Sequence, residues 1–328
     1  LRELRLPVLG TAWVSGMFNQ PEAWINFSSY TWPYTTWRYD FERDSLAVYR
    51  KYPVPVRTED FLTEQVWYSS KDGTRIPMFI VRPKDRPLDG TAPLLLTGYG
   101  GFDVSTHPLF SPKALVWLEA GGIYAAPCLR GGGEYGRSWH EAGMREKKQN
   151  VFDDFIAAAE WLVAQRYTDP GRLTIWGGSN GGLLTGAAVV QRPDLFRAAV
   201  VSMPLLDMVR FHKFGYAGIW REEYGSAEDP SQFPYLLRYS PYHNVKKGTK
   251  YPAVLLTAGE NDSRVHPLHA RKMAALLQAS TASDPATKPV LLWVDREAGH
   301  GQGKPLALRV RDVADQRMFL MWQLGMLK

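Results

Sequence analysis

The chain has 328 residues, 45% of them hydrophobic, enough to fill one large core alone or beside a smaller module. Its formal net charge is +6, but the cations are scattered and their densest cluster, Arg145 to Lys148, is interrupted by Glu146; a nucleic-acid partner, which asks for cations gathered on one element, is not expected. No apolar run reaches the length of a membrane span, so no membrane partner is expected either.

Residues 11–50 hold short runs of Trp, Tyr, Thr and Ser, such as Ala23 to Tyr30 and Thr35 to Asp40, broken at Asn19-Gln20-Pro21 and Trp32-Pro33. Such β-formers between turn residues predict short antiparallel strands. A single four-stranded unit of this kind resembles one propeller blade, which cannot bury both its faces alone. From about residue 62 the pattern turns α/β. Strands are predicted at Gln65 to Ser69, Ile76 to Val81, Leu94 to Thr97, Ile123 to Cys128, Leu173 to Trp176, Ala198 to Ser202, Ala253 to Ala258 and Val290 to Val294. Helices are predicted over Phe152 to Gln165, where Phe155, Ala158, Ala159 and Leu162 share a face, over Gly182 to Gln191, and over Ala307 to Leu324. Alternating strands and helices imply an α/β domain with a mostly parallel sheet and helices on both faces. The expected organisation is a β-rich segment over residues 1–60 and a catalytic domain over 61–328.

The only cysteine, Cys128, excludes an intrachain disulfide. It lies in an apolar run and is expected to be a small core residue. A cytoplasmic compartment fits, with the periplasm left open. Leu1 to Leu4 shows neither an initiator Met nor a signal-peptide core, which reads as a truncated or processed end.

Gly177-Gly178-Ser179-Asn180-Gly181-Gly182 follows a predicted strand and opens a predicted helix. That is the context in which G-x-S-x-G presents a nucleophilic serine. The glycines leave room for a sharp, strained reversal. The helix N-terminus favours a developing anion. Such a serine needs a base and an orienting acid, which follow it in the order Asp, His in this arrangement. Asp262 lies just past one predicted strand and His300, in Ala298-Gly299-His300-Gly301, just past the next. Open α/β sheets gather their active-site loops at such strand ends. Glu260 is a rival acid, expected to be a loop residue. His266 and His269 are rival bases, both expected as partly exposed residues of the helix after Asp262. His212 falls in a loop or helix, His243 in a polar turn, and His107 and His140 in loops. No metal-ligand spacing and no phosphate-binding loop is present, so no cofactor and no metal is expected.

Several further stretches occur in a telling order: Gly98-Tyr99-Gly100-Gly101-Phe102, Arg130-Gly131-Gly132-Gly133-Glu134-Tyr135-Gly136, Lys148-Gln149-Asn150-Val151-Phe152-Asp153-Asp154, Gln191-Arg192-Pro193-Asp194-Leu195 and Tyr239-Ser240-Pro241-Tyr242-His243-Asn244-Val245. With the serine and histidine motifs, they make residues 60–328 resemble the catalytic domain of the prolyl oligopeptidase family. The first sixty residues resemble that family's last propeller blade and its return strand. The resemblance implies an α/β-hydrolase fold. It implies a catalytic triad of Ser179, Asp262 and His300. The Tyr99 hydroxyl and the Asn180 backbone N–H would form the oxyanion hole. Trp220 would stack on a substrate proline ring, Phe102, Tyr224 and Val265 would wall its pocket, and Arg264 would hold the carbonyl just before the proline. Glu222 and Glu223 keep a preference for basic side chains open. The acid loop reads Asp262-Ser263-Arg264 where the family commonly has Asp-Asp-Arg. The implied activity is a serine endopeptidase that cuts short peptides after proline. A carboxylesterase or lipase of the same fold, or an inactive fragment, is the alternative. The expected partners are proline-containing peptides and the missing propeller of a longer chain.

Overall fold

The computed structural model describes residues 3–301 and 304–327. Four strands come first: β1 (Thr11–Gly16), β2 (Glu22–Ser28), β3 (Thr35–Asp40) and β4 (Ser45–Lys51). They pair in sequence order as an antiparallel sheet, as a propeller blade does. Alternation in β2 buries Ala23, Ile25 and Phe27. Ile25, Phe27 and Trp37 form a small core with Leu4, Leu6, Trp32, Tyr39 and Leu46 packed on it. The edge strands stay open: Val14 is 70% exposed and Tyr49 67%.

The remaining strands are β5 (Phe61–Ser69), β6 (Arg75–Pro83), β7 (Leu94–Thr97), β8 (Ile123–Pro127), β9 (Leu173–Gly178), β10 (Ala198–Ser202), β11 (Ala253–Gly259) and β12 (Val290–Asp295). They form one eight-stranded sheet in the order β12-β11-β10-β9-β7-β8-β6-β5. The pairs β7-β9, β9-β10, β10-β11 and β11-β12 are all parallel. The helices are α1 (Pro112–Glu119), α2 (Arg137–Glu141), α3 (Gln149–Ala164), α4 (Asn180–Gln191), α5 (Arg221–Tyr224), α6 (Phe233–Tyr239), α7 (Leu268–Ser280) and α8 (Leu306–Gln323). This is the expected α/β-hydrolase architecture.

The chain falls into two compact units. One takes in Leu1–Val66, Phe79–Pro87 and His107–Tyr124, and the other takes in Trp67–Met78, Leu88–Thr106 and Ala125–Lys328. That partition is not a single cut at residue 60. The centre of the second unit is α4, buried from Asn180 through Val190. A helix apolar all round belongs in a core. Beside it, α3 buries Phe152, Phe155, Ala158, Ala159 and Leu162.

One buried ion pair ties α3 to the glycine-rich loop after β8. Arg130 Nε donates to Asp154 Oδ2 at 2.9 Å and its Nη2 to Oδ1 at 2.5 Å. The same carboxylate accepts the Arg130 N–H and the Ser70 hydroxyl. Satisfying every lone pair is what makes a buried charge pair tolerable. The loop so anchored supports its neighbour, for Asp103 N donates to Gly131 O at 3.1 Å. A Cβ on Gly131, whose φ is +87°, would lie 2.7 Å from Gly100 O.

Candidate active site

Ser179 occupies the turn between β9 and α4 with φ 58° and ψ −119°, a left-handed strain that non-glycine residues accept where function requires it. Its N–H donates to Ser202 O at 2.9 Å, tying the turn to β10. Two of the flanking glycines are required by contact: a Cβ on Gly177 would sit 2.0 Å from Gly181 O, and one on Gly182 2.7 Å from Pro204 Cβ. Asn180 opens α4, two residues earlier than the sequence pattern predicts. As the first helical residue it has an N–H with no intrahelical acceptor, beside the serine.

The candidate acid and base follow adjacent parallel strands. Asp262 follows β11, and His300 follows β12. His300 Nδ1 and Asp262 Oδ2 are 2.6 Å apart. The other carboxylate oxygen, Oδ1, accepts the N–H groups of Arg264 at 2.9 Å and Val265 at 2.8 Å. The Asp262 side chain is thus fully engaged, and only 1% exposed. The two loops are zipped together: Glu260 N donates to Asp295 O and Asn261 N to Ala298 O. A Cβ on Gly259 would lie 2.3 Å from Gly299 O.

The rival residues are occupied elsewhere. Glu260 is paired with Arg271 at the surface. His269 lies in α7 but is buried, not partly exposed as expected. Its Nδ1 accepts the N–H groups of Leu206 and Asp207. Burial pushes its pKa down to about 4, so it is a neutral structural acceptor. His266 is exposed and precedes α7 instead of lying on it; its Nδ1 caps the Leu268 N–H at 3.1 Å. His212 is itself buried, in the 3₁₀ turn Phe211–Lys213. His140 lies in α2, not in a loop. Burial pushes the Cys128 thiol up, in keeping with a core residue.

The Tyr99 hydroxyl stands close enough to Ser179 for that side chain to lower its pKa. Burial nonetheless raises that pKa, against the lowering effects of Ser179 and of Arg264. The phenol therefore keeps its proton and stays a donor. Phe102 is the hub of an aromatic group. It meets Trp220 edge-on at 6.2 Å, Tyr224 edge-on at 5.6 Å and Tyr99 at 6.5 Å. The Arg264 guanidinium lies 6.0 Å from the Trp220 ring centre, within cation–π reach. Val265 and Tyr224 are buried. The Tyr224 hydroxyl donates to Asn180 Oδ1 at 2.7 Å, and Asn180 Nδ2 donates to Tyr99 O at 2.5 Å. The Asn180 side chain thereby links the pocket wall to the loop that carries Tyr99.

Glu223 has no free oxygen. Oε1 accepts the Phe102 N–H at 3.1 Å and Lys148 Nζ at 3.3 Å, while Oε2 pairs with His140 Nε2 at 2.7 Å. Glu222 is exposed. Neither matches a carboxylate waiting for a basic substrate side chain, so that reading is not supported. Sequence reasoning gave Lys148, His140 and Glu223 no role around Phe102. No pattern marked them, since Lys148 opens a polar run, Lys148-Gln149-Asn150, ahead of Val151 and Phe152.

A family model described as the prolyl oligopeptidase family matches residues 108–327. The chain belongs to the prolyl oligopeptidase family. It is 42% identical over 327 residues to the prolyl endopeptidase of Elizabethkingia miricola, covering 99% of this chain and 46% of that protein. Against prolyl oligopeptidase A of Galerina marginata the identity is 43%, covering 99% and 45%. A solved prolyl endopeptidase structure superposes with a TM-score of 0.93 at 47% identity, covering all of this chain and 48% of that one. Prolyl oligopeptidase B of Galerina marginata, solved with a 35-residue hydrolysis and macrocyclisation substrate, gives a TM-score of 0.92 at 42% identity, covering 99% and 46%. This family member thus spans about half the length of the relatives it matches. Among the described residues, no helix is long and apolar enough to cross a membrane, and no three His, Cys, Asp or Glu side chains group as metal ligands.

Proposed function

We propose that this chain is the catalytic part of a serine endopeptidase that hydrolyses short peptides on the carboxyl side of proline. The observation that carries the proposal is the hydrogen-bonded His300–Asp262 pair at the ends of adjacent strands, in the same compact unit as a strained Ser179 near Tyr99. In this reading His300 takes the Ser179 proton as Oγ attacks the carbonyl carbon after proline. Asp262 holds the imidazole by Nδ1 and stabilises its cation. The Tyr99 hydroxyl and the Asn180 N–H receive the oxyanion, and donors placed in advance supply several kcal/mol of barrier lowering. The amine leaves with the proton from His300, and water cleaves the acyl-enzyme by the same route. Trp220 and Phe102 offer apolar ring surface to the proline, with Tyr224 and Val265 behind them and Arg264 beside the preceding carbonyl.

Specificity for proline is supported by the aromatic group around Phe102 and by the absence of a free carboxylate at Glu223. We further propose that the four-stranded sheet is one blade of a propeller supplied by a longer chain. The exposed apolar side chains of β1 and β4 support this, Val14 and Tyr49 among them. A cytoplasmic compartment is consistent with one buried, unpaired Cys128. The test is cleavage of a proline-linked reporter peptide by this chain and by Ser179→Ala. We expect turnover that the substitution abolishes. Turnover of simple esters without peptide cleavage would replace the reading by an esterase. Peptide cleavage that survives Ser179→Ala would overturn the assigned nucleophile.

A further inference from the structure

We propose that Glu223 and Lys148 are positioning residues for acyl transfer: their buried ion pair clamps the loop Gly98 to Asp103 and thereby sets the Tyr99 hydroxyl. This rests on the reading of Tyr99 as an oxyanion donor. Lys148 Nζ donates to Gly100 O at 2.9 Å, and Glu223 Oε1 accepts from Phe102 N at 3.1 Å. The two charges therefore grip backbone groups two residues apart, one of each polarity. They also pair with each other at 3.3 Å, and their side chains are only 1% and 4% exposed. Lys148 Nζ lies 5.3 Å from the Tyr224 ring centre as well.

A buried ion pair is seldom the most stable way to fill a core. Its geometry here matches a specific need. The loop turns through left-handed backbone at Gly100 (φ 63°), Phe102 (58°) and Asp103 (59°). Two of these are not glycine, and such conformations hold only where the surroundings over-determine them. The surroundings close in from both sides of Gly101. A Cβ there would lie 2.7 Å from Asn180 Nδ2 and 3.0 Å from Glu223 Oε1. Asn180 fixes the Tyr99 carbonyl, the ion pair fixes the next two peptide units, and His140 completes the Glu223 carboxylate. The phenol is left with little freedom to leave the position beside Ser179. A donor displaced by about 1 Å loses of the order of a hundredfold in rate.

The test is a double-mutant cycle on the full chain with Glu223→Gln, Tyr99→Phe and both together. Two rates are measured: turnover of the proline-linked reporter, and labelling of Ser179 by a fluorophosphonate. Glu223→Gln should lower kcat and the labelling rate by about 10- to 100-fold, with the change in KM smaller. In the Tyr99→Phe background the same substitution should change either rate by no more than about twofold, because non-additivity marks residues that act through each other. An equal loss in both backgrounds overturns the proposal, since Glu223 would then act on folding or on the pocket at large. If the wild type is labelled but does not cleave the peptide, the proline reading fails while the labelling cycle still decides this one. Should Glu223→Gln fail to fold, His140→Gln enters the same cycle in its place.

Discussion

Ser179 and His300 stand on loops built in different ways. The Ser179 turn is closed by packing: Gly177, Gly181 and Gly182 leave no room for a Cβ, and the helix behind it is buried along its length. The His300 loop is held by polar tethers. Asp295 Oδ1 accepts the Glu297 and Ala298 N–H groups at 3.0 and 3.2 Å. Lys304 bridges Asp295 to Asp312 on α8. Beneath this loop a cavity of about 470 Å³ opens among Leu255, Trp293, Met318, Phe319 and Trp322. The neighbouring strand β12 leaves Leu291, Leu292 and Trp293 exposed. A packed turn and a tethered loop should fail differently. Changes near the serine should act largely on stability, and changes at the carboxylate that holds the histidine on rate.

The largest effect expected is on the tethered side. Asp262→Asn keeps the shape of the side chain and an oxygen for the Arg264 and Val265 N–H groups. It removes the negative charge that His300 faces at 2.6 Å. An uncharged amide can also present its NH₂ to Nδ1 and hold the wrong tautomer. We expect kcat to fall about 10³- to 10⁴-fold, the loss that the proposed triad requires, with the thermal midpoint nearly unchanged. Steady-state kinetics beside a melting curve check both halves. Activity within tenfold of wild type would break the assignment of the acid.

The same contrast explains what the sequence disclosed. The strands Leu94–Thr97 and Ala198–Ser202 occur where continuous apolar runs mark them, since a strand buried on both faces has no polar positions to blur its limits. The Ser179 turn was legible because close packing forces a glycine pattern. Asp262 and His300 were legible from their places after successive strands. The clamp around Phe102 was not. Glu223 lies 75 residues from Lys148 and 83 from His140 in sequence, and each of the three looks like an ordinary surface charge until the fold buries it. The 3₁₀ turns from Phe211 to Trp220, which lead into α5, were also missed, because such short turns carry no periodicity. The exposure of His269 was misjudged for a related reason: helical spacing does not tell which face a neighbouring loop will cover.

On the packed side, His269 gives a stability test with a definite sign. Burial lowers its pKa from the ordinary 6.5 to about 4, with Asp207 opposing and Lys272 and His266 adding. Above pH 6.5 the imidazole is neutral in both the folded and the unfolded chain. As the pH falls from 6.5 towards 4, the unfolded chain takes up a proton that the folded chain refuses. Stability present at neutral pH is therefore lost across that window, by up to about 3 kcal/mol. His269→Asn removes the titration and keeps an acceptor for the Leu206 and Asp207 N–H groups. The stability difference between wild type and variant, from urea unfolding at pH 7.5, 5.5 and 4.5, should shrink by about that amount on acidification. A difference independent of pH would show that His269 is not held neutral by the packing around the loop after β10.

The smallest effect expected is at Lys304. Burial alone would lower its pKa, but Asp295 and Asp312 hold its ammonium above the ordinary value. Only 6% of its side chain is exposed. Lys304→Met keeps the aliphatic bulk and leaves two carboxylates without their shared cation. Asp295 still caps Glu297 and Ala298 through Oδ1, so the loop keeps its backbone contacts and loses one tether to α8. The loss should be about 1–3 kcal/mol of stability and less than about tenfold in kcat, far below the effect at Asp262. The sharper reading is salt dependence: with the cation gone, repulsion between Asp295 and Asp312 is screened by added salt, and part of the lost stability should return by 0.5 M NaCl. A variant as crippled as Asp262→Asn would mean that the loop's position rests on this one ammonium and that the backbone tethers count for little.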